Sequence, residues 1–175
     1  EILTPATAIE PGSTFEYVEP IGAGRLRGLI LHKLMEELLT GELSPQGDVT
    51  VRAERLRDEL LGIEPAGEVP VPSELATTAL QTYQLPYVQR LLPFLVPELS
   101  LWGELEPGNL LAGRVDAIAI EHGKVLEVLD WKSDHDTELH RAAYVQQLHR
   151  YLQATSAPRG AIVYMTTGEI LPVQP

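Results

Sequence analysis

Asp130 and Lys132 stand two residues apart in the run Val125-Leu126-Glu127-Val128-Leu129-Asp130-Trp131-Lys132, and Asp116 ends a second short motif, Gly113-Arg114-Val115-Asp116. Two residues apart on a strand means one face, so the period-two alternation sets the Asp130 carboxylate beside the Lys132 ammonium while Leu129 and Trp131 point the other way. A carboxylate pair and a lysine at a strand end suit phosphodiester hydrolysis. Hard divalent cations such as Mg²⁺ prefer carboxylate oxygens and keep several waters. A bound cation polarises a phosphate and acidifies a bound water, and a nearby ammonium orients that water or offsets charge developing on the phosphate.

The turn between the two motifs, Glu121-His122-Gly123-Lys124, carries a geometric condition. A clean two-residue loop at His122-Gly123 sets Val115 opposite Asp130 and turns Asp116 away. A three-residue loop, or a one-residue bulge, sets Asp116 opposite Asp130. Opposed Cα atoms in an antiparallel pair are roughly 4.5–5.5 Å apart, close enough for the side chains to share a metal. The expectation is therefore a longer loop or a bulge. The bland alternative is a solvated strand end, since Asp-x-Lys recurs by chance. Against it stands the apolar run Val125–Leu129: a charge pair at the end of a buried strand costs desolvation unless it is partnered.

The elements that would position these groups follow from periodicity. Residues 1–24, with Pro5, Pro11, Gly12, Pro20, Gly22 and Gly24, read as an irregular lead-in or linker. Leu26, Leu29, Ile30, Leu34, Leu38 and Leu39 recur at helical spacing from Arg25 to Thr40, with Gly41 as a stop. Further helices are expected over Val51–Leu61, from an N-cap at Ser73, over Pro86–Leu95 and over Thr137–Thr155. Leu99–Leu105, Leu110–Ile120 and Lys124–Trp131 read as a strand meander, and Ala161–Met165 and Glu169–Val173 as two last strands. The order gives an α/β (α+β) domain over residues 25–175, with a central mixed β-sheet flanked by helices.

Composition bounds the rest. The 175 residues suffice for one core, and 44% apolar with 22% charged residues is ordinary for a globular domain. No apolar run is long enough to span a bilayer, which argues against a membrane partner. Cysteine is absent, which excludes disulfides, zinc-thiolate sites and an iron–sulfur cluster and makes the cytoplasm the default location. The chain begins with Glu1, not Met, and is expected to be a piece of a longer polypeptide. A net charge of −12 runs against a DNA-gripping surface. Either the acidity covers a solvated outer face, or the rest of a larger protein delivers the substrate.

Four segments together resemble the RecB-like branch of the PD-(D/E)XK nuclease superfamily, found at the C-terminus of UvrD-like helicases and in helicase–nuclease recombination complexes. Gly28-Leu29-Ile30-Leu31-His32 looks like the helix with a metal-binding histidine, and Gly113-Arg114-Val115-Asp116 like the strand with the first aspartate. Asp130-Trp131-Lys132-Ser133 looks like the Asp-x-Lys strand, and Gln147 to Tyr151, preceded by Tyr144, like the Gln-x-x-x-Tyr helix. Val115 stands where the superfamily's name has proline, and residues 42–98 carry no assignable motif.

The resemblance implies a restriction-endonuclease-like core and a metal-dependent DNA nuclease, an exonuclease working with a helicase in DNA repair or recombination. His32, Asp116, Asp130 and the Trp131 carbonyl would hold Mg²⁺ or Mn²⁺, and imidazole suits Mn²⁺ better than Mg²⁺. Lys132 would position the attacking water, leaving 5′-phosphate and 3′-hydroxyl products. Gln147 and Tyr151, one helical turn apart, would border the site and hold the scissile strand or Lys132. The implied partners are single-stranded DNA, UvrD-like helicase domains of the same parent chain, and a second helicase–nuclease subunit.

Taken without the resemblance, His32 is a helical histidine of the kind that is more often structural. Glu104 reads as structural, His122, His135, His140 and His149 as solvated, and Asp134 as a strand-end solubiliser. Asp130→Ala is expected to abolish cleavage without unfolding the domain. Two other readings stay open: a nuclease-like module that no longer cuts and serves as a DNA path or subunit dock, and an unrelated small-molecule- or protein-binding domain.

Overall fold

A computed structural model describes residues 14–17, 24–61, 69–106 and 109–175, with the side chains of 14–17, 102–106 and 109–112 outside that description. The described elements run β1 (Thr14–Tyr17), α1 (Arg25–Thr40), α2 (Val49–Leu61), α3 (Pro72–Gln84), α4 (Pro86–Leu91), a 3₁₀ turn (Leu92–Phe94), β2 (Leu95–Glu106), β3 (Asn109–Glu121), β4 (Lys124–Lys132), α5 (Arg141–Thr155), β5 (Gly160–Tyr164) and β6 (Ile170–Val173). The six strands form one mixed sheet in the order β1-β3-β4-β5-β6, with β2 on the other edge of β3. Glu104, expected to be structural, has its side chain outside the described set.

Apolar side chains cover both faces of the sheet, as a mixed sheet with a parallel β4–β5 pair requires. On one face Ile30, Leu31, Leu34 and Met35 of α1 join α2, α3 and α4 over Ala117, Leu129, Trp131 and Val163. On the other, Tyr144, Leu148, Tyr151 and Leu152 of α5 pack on Val115, Ile118, Val128, Ile162 and Tyr164. Gly160 lets α5 close on the sheet: a Cβ there would stand 2.9 Å from the Val128 carbonyl and 3.0 Å from Leu152 Cδ2.

β3 explains where a site can form. One edge pairs with β2 along most of its length. The other edge pairs with β1 over Asn109–Ala112 and with β4 over Ala117–Glu121. Residues Gly113–Asp116 lie where that edge passes from one partner to the next. At the same point the alternation of faces breaks in two neighbouring strands. Val115 and Leu99 pack on the α5 side, yet Ala117 and Leu95, of the same parity, pack on the α1 side. Asp116 and Glu98 are the residues at the break, and Glu98 has a φ of 56°.

The β3–β4 connection meets its condition through a bulge rather than a longer loop. His122 and Gly123, with φ of 48° and 75°, form a two-residue turn with Glu121 opposite Lys124. The register then shifts by one, from Ile120 opposite Val125 to Ala119 opposite Glu127. Leu126 is the extra residue. Continued from Ala117 opposite Leu129, that register sets Asp116 opposite Asp130. Beside the bulge the fully buried Glu127 accepts hydrogen bonds from Tyr87, from Arg159 Nε at 3.1 Å and from Arg90 at 3.4 Å, so β4 is pinned where its register changes.

Five features differ from the sequence expectations, each for a local reason. Within the segment read as a lead-in, 14–17 add the parallel strand β1, four residues too short to register in a Pro/Gly-rich stretch. α2 starts at Val49 because the Asp48 carboxylate accepts the Val51 amide at 3.0 Å. Ser73 is not an N-cap: Pro72 occupies the first turn, Ser73 is already helical, and its carbonyl accepts from Thr77. α4 gives way before Leu95, which is already paired with Ala119, and α5 starts at Arg141 because the Thr137 carbonyl is taken by the Tyr164 hydroxyl.

α1 is clamped to the sheet by Arg27, which donates to the Ser133 carbonyl at 2.6 Å, to Thr166 at 3.1 Å and to Glu74 of α3. Burial pushes the Glu74 carboxyl up, but hydrogen bonds from Arg27 and Thr78 and the Arg27 charge outweigh it, so its pKa lies below the ordinary value. Stability from that depression is present above the unfolded-state pKa and is lost as pH falls through the folded one. We therefore expect Glu74→Gln to lower the urea midpoint at pH 7 and to leave it unchanged near pH 3; an equal loss at both pH values would show that the charge is not what matters.

Candidate metal centre and active site

The end of β4 and the break in β3 bring the seven singled-out residues into one chain of contacts. His32 Nδ1 on α1 lies 3.0 Å from Asp116 Oδ1 on β3, with the two side chains 29% and 13% exposed. The other oxygen of Asp116 accepts the Trp131 amide at 2.7 Å. A side-chain carboxylate thus replaces the next rung of the β3–β4 ladder. Asp130 Oδ2 lies 2.7 Å from Lys132 Nζ, and both side chains are buried. Lys132 Nζ donates to Gln147 Oε1 at 3.1 Å, and Gln147 Nε2 donates to the Tyr151 hydroxyl at 3.3 Å.

Local structure accounts for each placement. α1 buries Ile30, Leu31, Leu34 and Met35 against the sheet, and His32, next to Leu31, is carried to the sheet's open end. Asp130 and Lys132 alternate with Leu129 and Trp131, whose side chains fill the α1-side core. Gly113 lets Tyr151 approach: a Cβ there would stand 3.1 Å from the tyrosine Cε1. The glycine and tyrosine of two separate motifs are thus in one contact.

The electrostatics are those of buried, mutually dependent charges. Burial and the neighbouring Asp116 push the Asp130 carboxyl up to about 6, against the opposing pull of Lys132. Burial also raises Asp116, but the His32 and Lys132 charges and the hydrogen bonds from His32 and Trp131 outweigh it and hold it below the usual carboxylate range. Burial lowers Lys132, yet Asp130 and Asp116 more than compensate, so it enters the site as an ammonium. His32 follows the same balance: burial lowers it and the Asp116 carboxylate raises it further. Neighbouring groups pushed apart in pKa are a recurring mark of functional sites.

Three neighbours were not legible as site residues. Tyr144 lies under Lys132, with the ammonium 4.4 Å from the ring centre. Its hydroxyl donates to Asp134 at 2.6 Å, so Asp134 is not a mere strand-end solubiliser: it buttresses the ring beneath the lysine. Glu98, outside the strand expected to begin at Leu99, lies on β2 between Pro97, opposite Ala117, and Leu99, opposite Val115. Among the described residues His32, Glu98 and Asp116 each offer a ligand atom within 4.8 Å of the others. Two carboxylate oxygens, Glu98 Oε2 and Asp130 Oδ2, are buried, each against one cation: Arg114 Nε at 2.5 Å and Lys132 Nζ at 2.7 Å. An imidazole and carboxylates fit a divalent cation.

Residues 15–169 match the PD-(D/E)XK nuclease superfamily. The chain belongs to that superfamily. Its nucleases use divalent metal ions, which agrees with the donor set at the centre of this one. Among solved structures, that of SSO0001 matches 86% of this chain and 77% of its own, at 23% identity and a TM-score of 0.39. No curated protein is detectably similar in sequence. The mixed sheet flanked by helices is the restriction-endonuclease-like arrangement of the PD-(D/E)XK nucleases. Among the described residues no helix is long and apolar enough to cross a membrane.

The buried pair changes what Asp130→Ala should do. Removing one member of a buried ion pair strands the other, at a cost on the order of 3 kcal/mol. We expect Asp130→Ala to be destabilised by about that amount in urea, with Asp130→Ala/Lys132→Met recovering most of the loss. A single variant as stable as the wild type would mean that Lys132 swings free to solvent, and that the pair does not hold the lysine in place.

Proposed function

We propose that this domain is a Mg²⁺- or Mn²⁺-dependent deoxyribonuclease of the RecB-like branch, hydrolysing DNA phosphodiester bonds as an exonuclease. The observation that carries this reading is the buried Asp130–Lys132 pair set beside the His32–Asp116 pair. The Lys132–Gln147–Tyr151 chain supports the branch, because it gives the Gln-x-x-x-Tyr helix a task at the lysine.

His32, Asp116, Asp130 and the Trp131 carbonyl would hold the cation. When bound, a divalent cation polarises the phosphate and makes a coordinated water more acidic. Lys132, held between Asp130 and Gln147, is placed to orient the attacking water and offset charge at phosphorus. Gln147 and Tyr144 fix the ammonium from two sides. A site supported in this way spends little on reorganisation when the substrate arrives.

The net charge of −12 favours a substrate brought by other domains. The proposed context is a UvrD-like helicase portion of the same parent chain, feeding single-stranded DNA in cytoplasmic repair or recombination, with a second helicase–nuclease subunit as a candidate partner.

The test is cleavage of end-labelled single- and double-stranded DNA with Mg²⁺ or Mn²⁺, for this domain and its parent chain. Progressive shortening from an end, lost with a chelator and lost in Asp130→Asn and Lys132→Gln, is the expected result. Undiminished cleavage by a folded Asp130→Asn protein would sink the assignment.

A further inference from the structure

We propose that Glu98 is a ligand of the divalent cation, so that the cation site is built from His32, Glu98 and Asp116 across α1, β2 and β3, with Asp130 adjoining from β4. This rests on the metal-dependent reading above and adds to it a residue that none of the matched motifs contains.

Three independent observations converge on Glu98. The first is distance: ligand atoms of His32, Glu98 and Asp116 all lie within 4.8 Å of one another. Ligands about 2.1 Å from a common Mg²⁺ stand at most about 4.2 Å apart, so only a small contraction is needed. The second is backbone: Glu98 holds a φ of 56° in the middle of a strand. A non-glycine residue there costs on the order of 1 kcal/mol or more and persists only when its surroundings impose it. The ladder is intact on both sides, with Pro97 opposite Ala117 and Leu99 opposite Val115, so the distortion is confined to the residue whose side chain meets Asp116.

The third is charge. Glu98 Oε2 is buried, and its charge partner is Arg114, whose Nε lies 2.5 Å away. The Arg114 side chain is 66% exposed and the Glu98 side chain 13% exposed. An ion pair with so exposed a partner contributes little, while a buried carboxylate facing a second carboxylate is costly. A divalent cation between Glu98 and Asp116 removes that cost. Arg114 is then the counter-charge of the metal-free state, and the imidazole in the set favours Mn²⁺ over Mg²⁺.

The experiment is calorimetric titration of the whole chain with Mn²⁺, with thermal melts in parallel, for wild type, Glu98→Gln, Arg114→Met and Asp116→Asn. Loss of even an outer partner of a metal site typically weakens affinity roughly 10–100-fold. Glu98→Gln should weaken Mn²⁺ by at least about tenfold, melt no lower than wild type without metal, and lose most of the Mn²⁺-induced rise in Tm. Arg114→Met should bind Mn²⁺ as wild type does, or tighter.

Wild-type affinity in Glu98→Gln, with binding lost in Asp116→Asn, overturns the role of Glu98 and leaves the nuclease reading standing. Equal weakening in Glu98→Gln and Arg114→Met makes the pair structural and also overturns it. No binding by the wild type removes the metal-dependent reading itself, and this proposal with it.

Discussion

The site depends on a break in the sheet. β2 and β3 both exchange faces at Glu98 and Asp116, at the point where the far edge of β3 passes from β1 to β4. A regular ladder would consume the Trp131 amide in a backbone hydrogen bond and aim Asp116 at a single face. Here Asp116 takes that amide itself and turns its second oxygen to His32. The centre therefore draws on both layers of helices: α1 supplies His32, and α5 supplies the groups around Lys132. Neither helix reaches across an unbroken sheet.

The opening is held by features some distance from it. The Leu126 bulge sets the register that puts Asp130 opposite Asp116, and the buried Glu127 fixes β4 at that bulge through Arg159, Arg90 and Tyr87. Arg27 ties α1 to the Ser133 carbonyl just past Lys132 and to α3. Glu37, also buried, accepts two hydrogen bonds from Arg52 and ties α1 to α2. These charges are saturated by their partners, as buried charges ordinarily must be. Glu98 and Asp130 have fewer partners: the buried Glu98 Oε2 meets only the exposed Arg114, and the buried Asp130 Oδ2 meets Lys132.

Periodicity and motif spacing determined a good deal unaided. The leucine pattern of Arg25–Thr40, the apolar runs of the meander and the last two strands follow from side-chain partition between core and water, and these elements formed close to where that pattern put them, except that β2 begins at Leu95 rather than Leu99. The pairing of Asp130 with Lys132 followed from strand alternation, and the need for a bulge followed from counting residues through the turn at His122-Gly123. Short-range chemistry outside the hydrophobic pattern was harder to see: the Asp48 cap, the Tyr164 bond that delays α5, and a four-residue β1 carry little signal.

Only the tertiary structure decided the rest, because the rest consists of contacts between elements distant in the chain. Glu98 precedes the run that alternation marks as strand, and its left-handed backbone breaks the rule used to read strands at all. Tyr144 and Asp134 acquire meaning only when α5 lies over Lys132, and Gly113 only when Tyr151 arrives above it. Sequence spacing fixes which side chains share a face of one element. Which faces meet, and where a sheet must open to let them meet, is set by packing two helical layers on strands that change partners.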